Sequence, residues 1–315
     1  MTDRKIILGI DTSNYTTSLA LLYDDGELIA NIKKPLPVKT GERGLRQSDA
    51  LFAHIKNIPL VMEEMRYCLG GRSIAAVGVS TRPRSVEGSY MPCFLAGLSI
   101  ADSIGSALSV PVYSFSHQCG HIMAAIYSSG NDEFLSGKEF CAFHVSGGTT
   151  EMLKVKFNGK AFDTELVGGT ADLNAGQAID RIGVYIGLPF PAGPAMEMLA
   201  LSNKEKITYK KPKIADMKVN LSGVENMAIK MFDATGNKEL TSAFVLDYIA
   251  SALELLADKY KEINGETNYL FAGGVMSNSI IKQRLNEKFS ASFAEPAFSA
   301  DNAVGIAALA LRQLK

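Results

Sequence analysis

Tryptophan is absent from the 315 residues, and cysteine is scarce, with four thiols (Cys68, Cys93, Cys119, Cys141) and no C-x-x-C pair. That spacing excludes a zinc ribbon and gives no disulfide framework, so the thiols are expected to be reduced. Charge of one sign is also missing: 32 Lys and Arg against 33 Asp and Glu give a formal net charge of −1. A chain this balanced does not grip nucleic acid with its whole surface; any such contact is local. Apolar stretches are broken by charge or proline before about 18 residues, so no membrane span is expected. The opening MTDRKIILGID enters a strand-like run without the charged and apolar regions of a secretory leader, which points to a cytoplasmic protein. No Walker loop or dinucleotide fingerprint is present.

What remains is ordinary globular composition, 47% hydrophobic and 21% charged over 33.9 kDa, long enough for two lobes. Residues 5–23 predict strand, a turn at Asp11-Thr12-Ser13-Asn14, and strand, closed by a turn at 24–27. A Gly-Glu-Arg-Gly turn at 41–44 precedes a helix from about Ser48. Residues 74–80 (IAAVGVS) fit a buried parallel strand, 81–85 a loop, 96–108 a helix, 110–115 a strand and 117–127 a helix. From Phe140 the pattern starts again: strand, the turn Ser146-Gly147-Gly148-Thr149-Thr150, strand, hairpin, strand. Helices are expected over 172–188, 239–263, from Ser277, and over 301–314, and the Lys-rich stretch 203–220 is expected to be an exposed insertion. Two β-rich openings, each followed by helices, predict an α/β fold of two similar lobes with a cleft between them.

Three small-residue turns end apolar strands: Asp11-Thr12-Ser13, 146–150, and Gly273-Gly274-Val275-Met276-Ser277-Asn278. Glycine lets the backbone approach a phosphate and Ser or Thr hydroxyls donate to it; taken singly, each is equally an ordinary turn. His117 and His121 are four apart on a helix start, which puts both imidazoles on one face as a metal requires. The alternative is two histidines lining a cleft without metal. Asp301, in FSADNAVGIA, is the candidate third ligand, and by spacing alone it is the N-cap of the last helix. Two His and one carboxylate leave coordination positions open, which suits Fe(II), or Zn(II), in a substrate-handling role.

Together the blocks GIDTSNYTTSLAL (9–21), HIKNIP (54–59), HQCGH (117–121), HVSGGTTEM (144–152), GGTADLNAGQAIDRIGVYIGLPFPAGP (168–194), NLSGV (220–224), FAGGVMSN (271–278) and SADNAVGIA (299–307) cover nearly the whole chain. They resemble the glycoprotease-type family of tRNA threonylcarbamoyltransferases, in the actin-like ATPase superfamily. The resemblance implies two actin-like (ribonuclease H-like) lobes, over 1–115 and 116–315, with an inserted segment near 195–235 and the last helix packed back on the first lobe. It implies transfer of a threonylcarbamoyl group from its adenylate to N6 of adenosine 37 of tRNA. Asp301 would join His117 and His121 as metal ligands. An adenine nucleotide would meet Asp11, then His144, Val145, Ser146, Gly147 and Gly148 around its phosphate or acyl part, Asp180 at the ribose, Gly193 and Asn278. Partners by resemblance are tRNA, the enzyme that makes the adenylate, and a related paralogue in a heterodimer. Proteolysis is not supported, because H-x-x-x-H lacks the Glu of H-E-x-x-H.

The chain also departs from the family pattern. Arg82-Pro83-Arg84-Ser85 stands where Gly-Pro-Gly-Leu is usual, and Gln47, Ser48, Leu51 and Phe52 precede His54 in place of Pro-Glu and Ser-Arg positions. Thr149 replaces a His, Leu173 an Asp and Gln177 a Glu, and Ser116 replaces the first His of a His-His pair. Such a set also fits a degenerate paralogue that binds nucleotide and scaffolds a related tRNA-modification protein, or a different carbamoyl-type transferase or small-molecule kinase. Lys204, Lys206, Lys210, Lys211 and Lys213 form a basic run that serves as a solvated face or a local RNA contact.

Overall fold

The structure, a computed structural model, describes residues 4–13, 15–37 and 45–315; Asn14 and the 41–44 turn lie outside the described residues. In chain order the strands are β1 (Ile6–Asp11), β2 (Thr16–Tyr23), β3 (Leu28–Pro35), β4 (Ile74–Arg82), β5 (Val112–Ser116), β6 (Glu139–Val145), β7 (Thr150–Phe157), β8 (Phe162–Thr170), β9 (Ile214–Ala215), β10 (Lys218–Val219), β11 (Tyr269–Ala272) and β12 (Ala291–Phe293). The α-helices are α1 (Gln47–Leu69), α2 (Phe94–Leu108), α3 (His117–Ser129), α4 (Ala175–Tyr185), α5 (Gly193–Ser202), α6 (Ser222–Thr235), α7 (Lys238–Asn264), α8 (Ser279–Asn286), α9 (Pro296–Ser299) and α10 (Val304–Leu314). They form two units: Met1–Gly137 with Phe157–Asp163 and Ala300–Lys315, and Lys138–Lys156 with Thr164–Ser299. The expected break after residue 115 falls inside β5; β5, α3 and α10 all belong to the first unit.

The first unit is built on a five-stranded sheet, order β3-β2-β1-β4-β5, antiparallel across β3-β2-β1 and parallel from β1 to β5. β1 is buried along its whole length because helices cover both faces of the sheet. Ile6, Leu8 and Ile10 share a core with Val61 and Met65 of α1 and Ala101 of α2. Gly9, on the alternate face, lies in register beside Gly78 of β4, and α10 packs on that pair. A Cβ on Gly9 would stand 2.7 Å from the Ala307 nitrogen, and one on Gly78 would stand 2.7 Å from the Ile306 carbonyl oxygen. The two glycines therefore clear a flat seat that lets the helix backbone descend onto the sheet.

The second unit carries a seven-stranded sheet, order β12-β11-β6-β7-β8-β10-β9. β11 runs parallel to β6 and to β12, while β6 and β7 are antiparallel. The helix expected over 172–188 is shorter, α4, since the residues before Ala175 form the connection in which Asp172 accepts the Leu221 N–H at 2.8 Å. The 203–220 stretch is not wholly an exposed insertion: its lysines are exposed, but β10 pairs with β8, and Val219 is buried. α7 is long and apolar enough, by length and composition, to cross a membrane, although Asp247 and Glu254 interrupt its apolar run; 78% of its apolar window is buried inside the protein, where Phe244, Leu246, Ile249, Leu253 and Leu256 join the core.

α1 also holds a fully buried histidine. His54 Nδ1 lies 2.8 Å from the Thr17 hydroxyl, which also takes an Asn57 amide proton at 3.3 Å. Burial pushes the His54 imidazole down from its ordinary 6.5 to about 4, and the Asp11 and Asp301 carboxylates only partly offset this. The unfolded chain takes up this proton near pH 6.5, the folded chain near 4. The stabilising contribution of neutral His54 is therefore complete above pH 6.5 and is lost as pH falls toward 4. Urea unfolding should show wild type losing on the order of 3 kcal/mol more than His54→Gln between pH 7 and pH 4. Parallel pH profiles for the two proteins would contradict this.

Candidate metal centre and small-residue turns

α3 starts at His117 because Ser116 caps it: its hydroxyl accepts the Cys119 N–H at 3.2 Å. The serine that departs from the family's usual histidine thus satisfies one of the orphan donors of the helix end. His117 and His121 then project from one face, with ring centroids 4.3 Å apart. α10 crosses α3 at a second pair of glycines. A Cβ on Gly305 would collide with the Gly120 carbonyl and stand 2.6 Å from the Ala124 nitrogen. This close crossing brings the segment before α10 to the start of α3.

Asp301 lies in that segment. The cap reading fails here, because α10 begins at Val304 and it is Asn302 Oδ1 that accepts the Val304 N–H at 3.1 Å. Asp301 Oδ1 instead lies 3.4 Å from His121 Nε2 and 3.6 Å from His117 Nε2. The donor atoms of these three residues all lie within 4.8 Å of one another. Bonds of about 2.1 Å in a tetrahedral shell place donors roughly 3.4 Å apart, so the set has the size and the N, N, O chemistry for a divalent transition metal.

Asp11 ends β1 behind His117. It is fully buried; its Oδ2 accepts the Ser13 hydroxyl at 2.6 Å, and its Oδ1 accepts the Ser80 hydroxyl and lies 3.2 Å from His117 Nδ1. Burial disfavours charge on both partners, but their mutual attraction and hydrogen bond prevail. Asp11 stays below the ordinary carboxylate range, and His117, also near Asp301, is pushed up to about 9. Ser80 gave no signal in the sequence, because its hydroxyl lies within the apolar run of β4; Ser13 entered only as part of the Asp11-Thr12-Ser13 turn, and His54 only within the HIKNIP block. Thr12, also in that turn, ties it to α2, donating to the Cys93 carbonyl at 3.1 Å and accepting the Gly97 N–H at 3.0 Å.

In the second unit the two remaining turns sit side by side at the carboxyl ends of parallel β6 and β11, where His144 pairs with Ala272. Gly273 has φ 101°, and a Cβ there would meet the backbone of Val145. Ser146 N–H donates to the Thr149 carbonyl at 2.7 Å, and the Ser146 carbonyl accepts the Gly176 N–H at 3.2 Å, which docks the start of α4 on the turn. Gly147 and Gly148 are exposed, with open space where a side chain would stand. Half-buried Asp180 accepts the Ala192 N–H at 2.8 Å, and burial raises its carboxyl against that hydrogen bond. Gly193 opens α5, also with open space at its Cβ position. Asn278 is buried, and its Oδ1 caps α8 by accepting the Ile281 N–H at 3.1 Å; the helix expected from Ser277 begins only after it. Leu173, at a departing position, is buried in the core, whereas Ser48 and Phe52 are exposed on α1.

Two sheets with these connections form a mixed α/β fold that solved structures share. The chain matches the HypF of T. kodakarensis with TM-score 0.62 at 11% identity, over 99% of this chain and 48% of that one. It matches the activator of 2-hydroxyisocaproyl-CoA dehydratase from Clostridium difficile with TM-score 0.55 at 14% identity, over 98% and 95% of the two chains. More narrowly, the sequence model of tRNA N6-adenosine threonylcarbamoyltransferase matches residues 32–308. The protein of that name from Carboxydothermus hydrogenoformans is 31% identical over 90% of this chain and 82% of its own length, and that from Christiangramia forsetii is 29% identical over 91% and 85%. The chain belongs to the tRNA N6-adenosine threonylcarbamoyltransferase family.

The donor set leads to a direct expectation. Equilibrium dialysis should find one Zn(II) per chain, and His121→Ala should weaken binding by more than about 100-fold, since even an outer partner of a ligand is worth roughly 10–100-fold. Undiminished zinc binding by a folded His121→Ala protein would remove His121 from the ligand set.

Proposed function

We propose that this protein transfers a threonylcarbamoyl group from threonylcarbamoyl-adenylate to N6 of adenosine 37 of tRNA, with one divalent metal, Fe(II) by preference or Zn(II), held by His117, His121 and Asp301. The observation that carries the reading is the meeting of these three side chains in a chain of this family. The acyl donor is a mixed anhydride and already activated, so positioning and charge stabilisation matter more than a protein nucleophile. The N6 amine attacks the carbamoyl carbon, the bond to the phosphate oxygen breaks, AMP leaves, and the amine gives up a proton. A bound divalent ion would supply Lewis acidity toward the carbamoyl carbonyl.

The chain's own groups supply the rest. The exposed Gly147-Gly148 turn lets the phosphate approach the backbone with open space at both Cβ positions, and the Gly148 N–H is held by the Ser146 hydroxyl at 3.3 Å. Its place at the carboxyl ends of parallel strands is where α/β sheets bind ligands. Asp180 would hold the ribose hydroxyls, and Gly193, with open space at its Cβ position, would permit close approach of the nucleotide. His144 and Val145 end the strand that carries the turn, and Asn278 supports the nucleotide by fixing the start of α8. Asp11 belongs behind the metal-facing histidine; its full burial leaves it no surface for a nucleotide. The exposed lysines at 204, 206, 210, 211 and 213 are a local surface for RNA. An adenylate-forming enzyme supplies the donor, a related paralogue is the heterodimer partner, and the setting is cytoplasmic.

Incubation with unmodified tRNA, threonine, bicarbonate, ATP and an adenylate-forming enzyme should give threonylcarbamoyladenosine, detected in the digested tRNA, and His117→Ala should abolish it. No modified nucleoside from the metal-loaded protein would reject the reading. If that protein then captured a related family member, the degenerate scaffold would replace it.

A further inference from the structure

His117 has two ring nitrogens, and the structure gives them different neighbours: Nε2 faces Asp301, and Nδ1 faces Asp11 at 3.2 Å. Asp11 is outside the ligand cluster, fully buried, and braced by hydroxyl donors on both oxygens, Ser13 on Oδ2 and Ser80 on Oδ1. These three residues come from the end of β1, the turn after it and the neighbouring β4, which pairs with β1 in parallel register. Two of the three, Asp11 and Ser80, thus belong to the sheet itself.

We propose that Asp11 is a positioning residue that fixes which nitrogen of His117 serves as the metal ligand. An ionised carboxylate only accepts hydrogen bonds, so the ring atom beside it must be the N–H. The lone pair of the neutral imidazole then sits on Nε2, on the side of Asp301 and His121. Ser13 and Ser80 hold the carboxylate with Oδ1 within reach of Nδ1. Carboxylate partners of metal-bound imidazoles act in this way, setting tautomer and ring orientation. Asp11 would therefore never touch the nucleotide; its effect on the reaction passes entirely through His117.

The inference rests on the metal assignment proposed above, and the experiment separates the two. Zinc alone is titrated into purified wild type, Asp11→Asn and Ser80→Ala, with thermal unfolding as the folding control. Asparagine keeps the shape but presents an N–H as readily as a carbonyl, so the tautomer is no longer dictated. Asp11→Asn should raise the zinc Kd by about 10–100-fold and Ser80→Ala by a smaller factor. In zinc-loaded wild type, nitrogen-15 NMR of the histidines should show His117 protonated at Nδ1 and coordinated through Nε2, a readout that needs no variant. A wild type that binds no zinc would overturn the metal assignment, and this inference with it. Zinc binding by wild type with an unchanged Kd in folded Asp11→Asn, or coordination of His117 through Nδ1, would overturn the positioning role alone.

Discussion

The arrangement of the first unit depends on how closely α10 can approach the sheet and α3. That approach is steric before it is anything else. Gly9 and Gly78 lie in register on adjacent strands and leave no Cβ between the sheet and the helix, and Gly305 meets Gly120 backbone to backbone. Side chains at these positions would push the helix outward, because a packed interior has no spare volume and overpacking costs about 1–3 kcal/mol or more. The consequence is positional as well as energetic. The segment before α10 is delivered to the first turn of α3, and Asp301 arrives at His117 and His121 from a place 180 residues away in sequence.

A second constraint is electrostatic. Two carboxylates, Asp11 and Asp301, flank one imidazole, and both are partly or fully removed from water. Burial opposes charge on His117, but the two carboxylates and the hydrogen bond to Asp11 prevail and push that ring up to about 9. A divalent cation would replace the ring proton as the charge that reconciles the two carboxylates, so the polar cluster in the first unit is a site prepared for positive charge. The second unit solves a different problem. There, backbone alone is presented: Gly147 and Gly148 are left bare at the end of β6, and the α4 start is docked against them through the Ser146 carbonyl. A small-residue turn with no side chain over its backbone, at the carboxyl ends of parallel strands, suits an anion.

Much of this was legible in the sequence. Continuous apolar runs such as IILGI and IAAVGVS announced buried strands, and the histidine spacing placed both rings on one helical face. Asp301 was harder. Its local context, a small polar residue shortly before an apolar helix, has the signature of an N-cap, and only the tertiary crossing at Gly120 and Gly305 decides otherwise. The work of Ser80 was not readable, because its partner Asp11 is 69 residues distant and β pairing, not local pattern, brings them together. Similarly, α7 is apolar on nearly every side because the surrounding elements bury it, and composition alone does not separate a central core helix from a span. The shortened α4 and the late start of α8 reflect polar residues, Asp172 and Asn278, spent on backbone groups outside and at the edge of each helix.

The central claim is that two imidazoles and one distant carboxylate are brought together to receive a cation. The most direct measurement is anomalous diffraction from crystals soaked in zinc, recorded on both sides of the metal absorption edge. One strong peak is expected, bonded to His117 Nε2, His121 and Asp301 at about 2.0–2.2 Å. A peak elsewhere, or one at the histidines with Asp301 turned away, would contradict it.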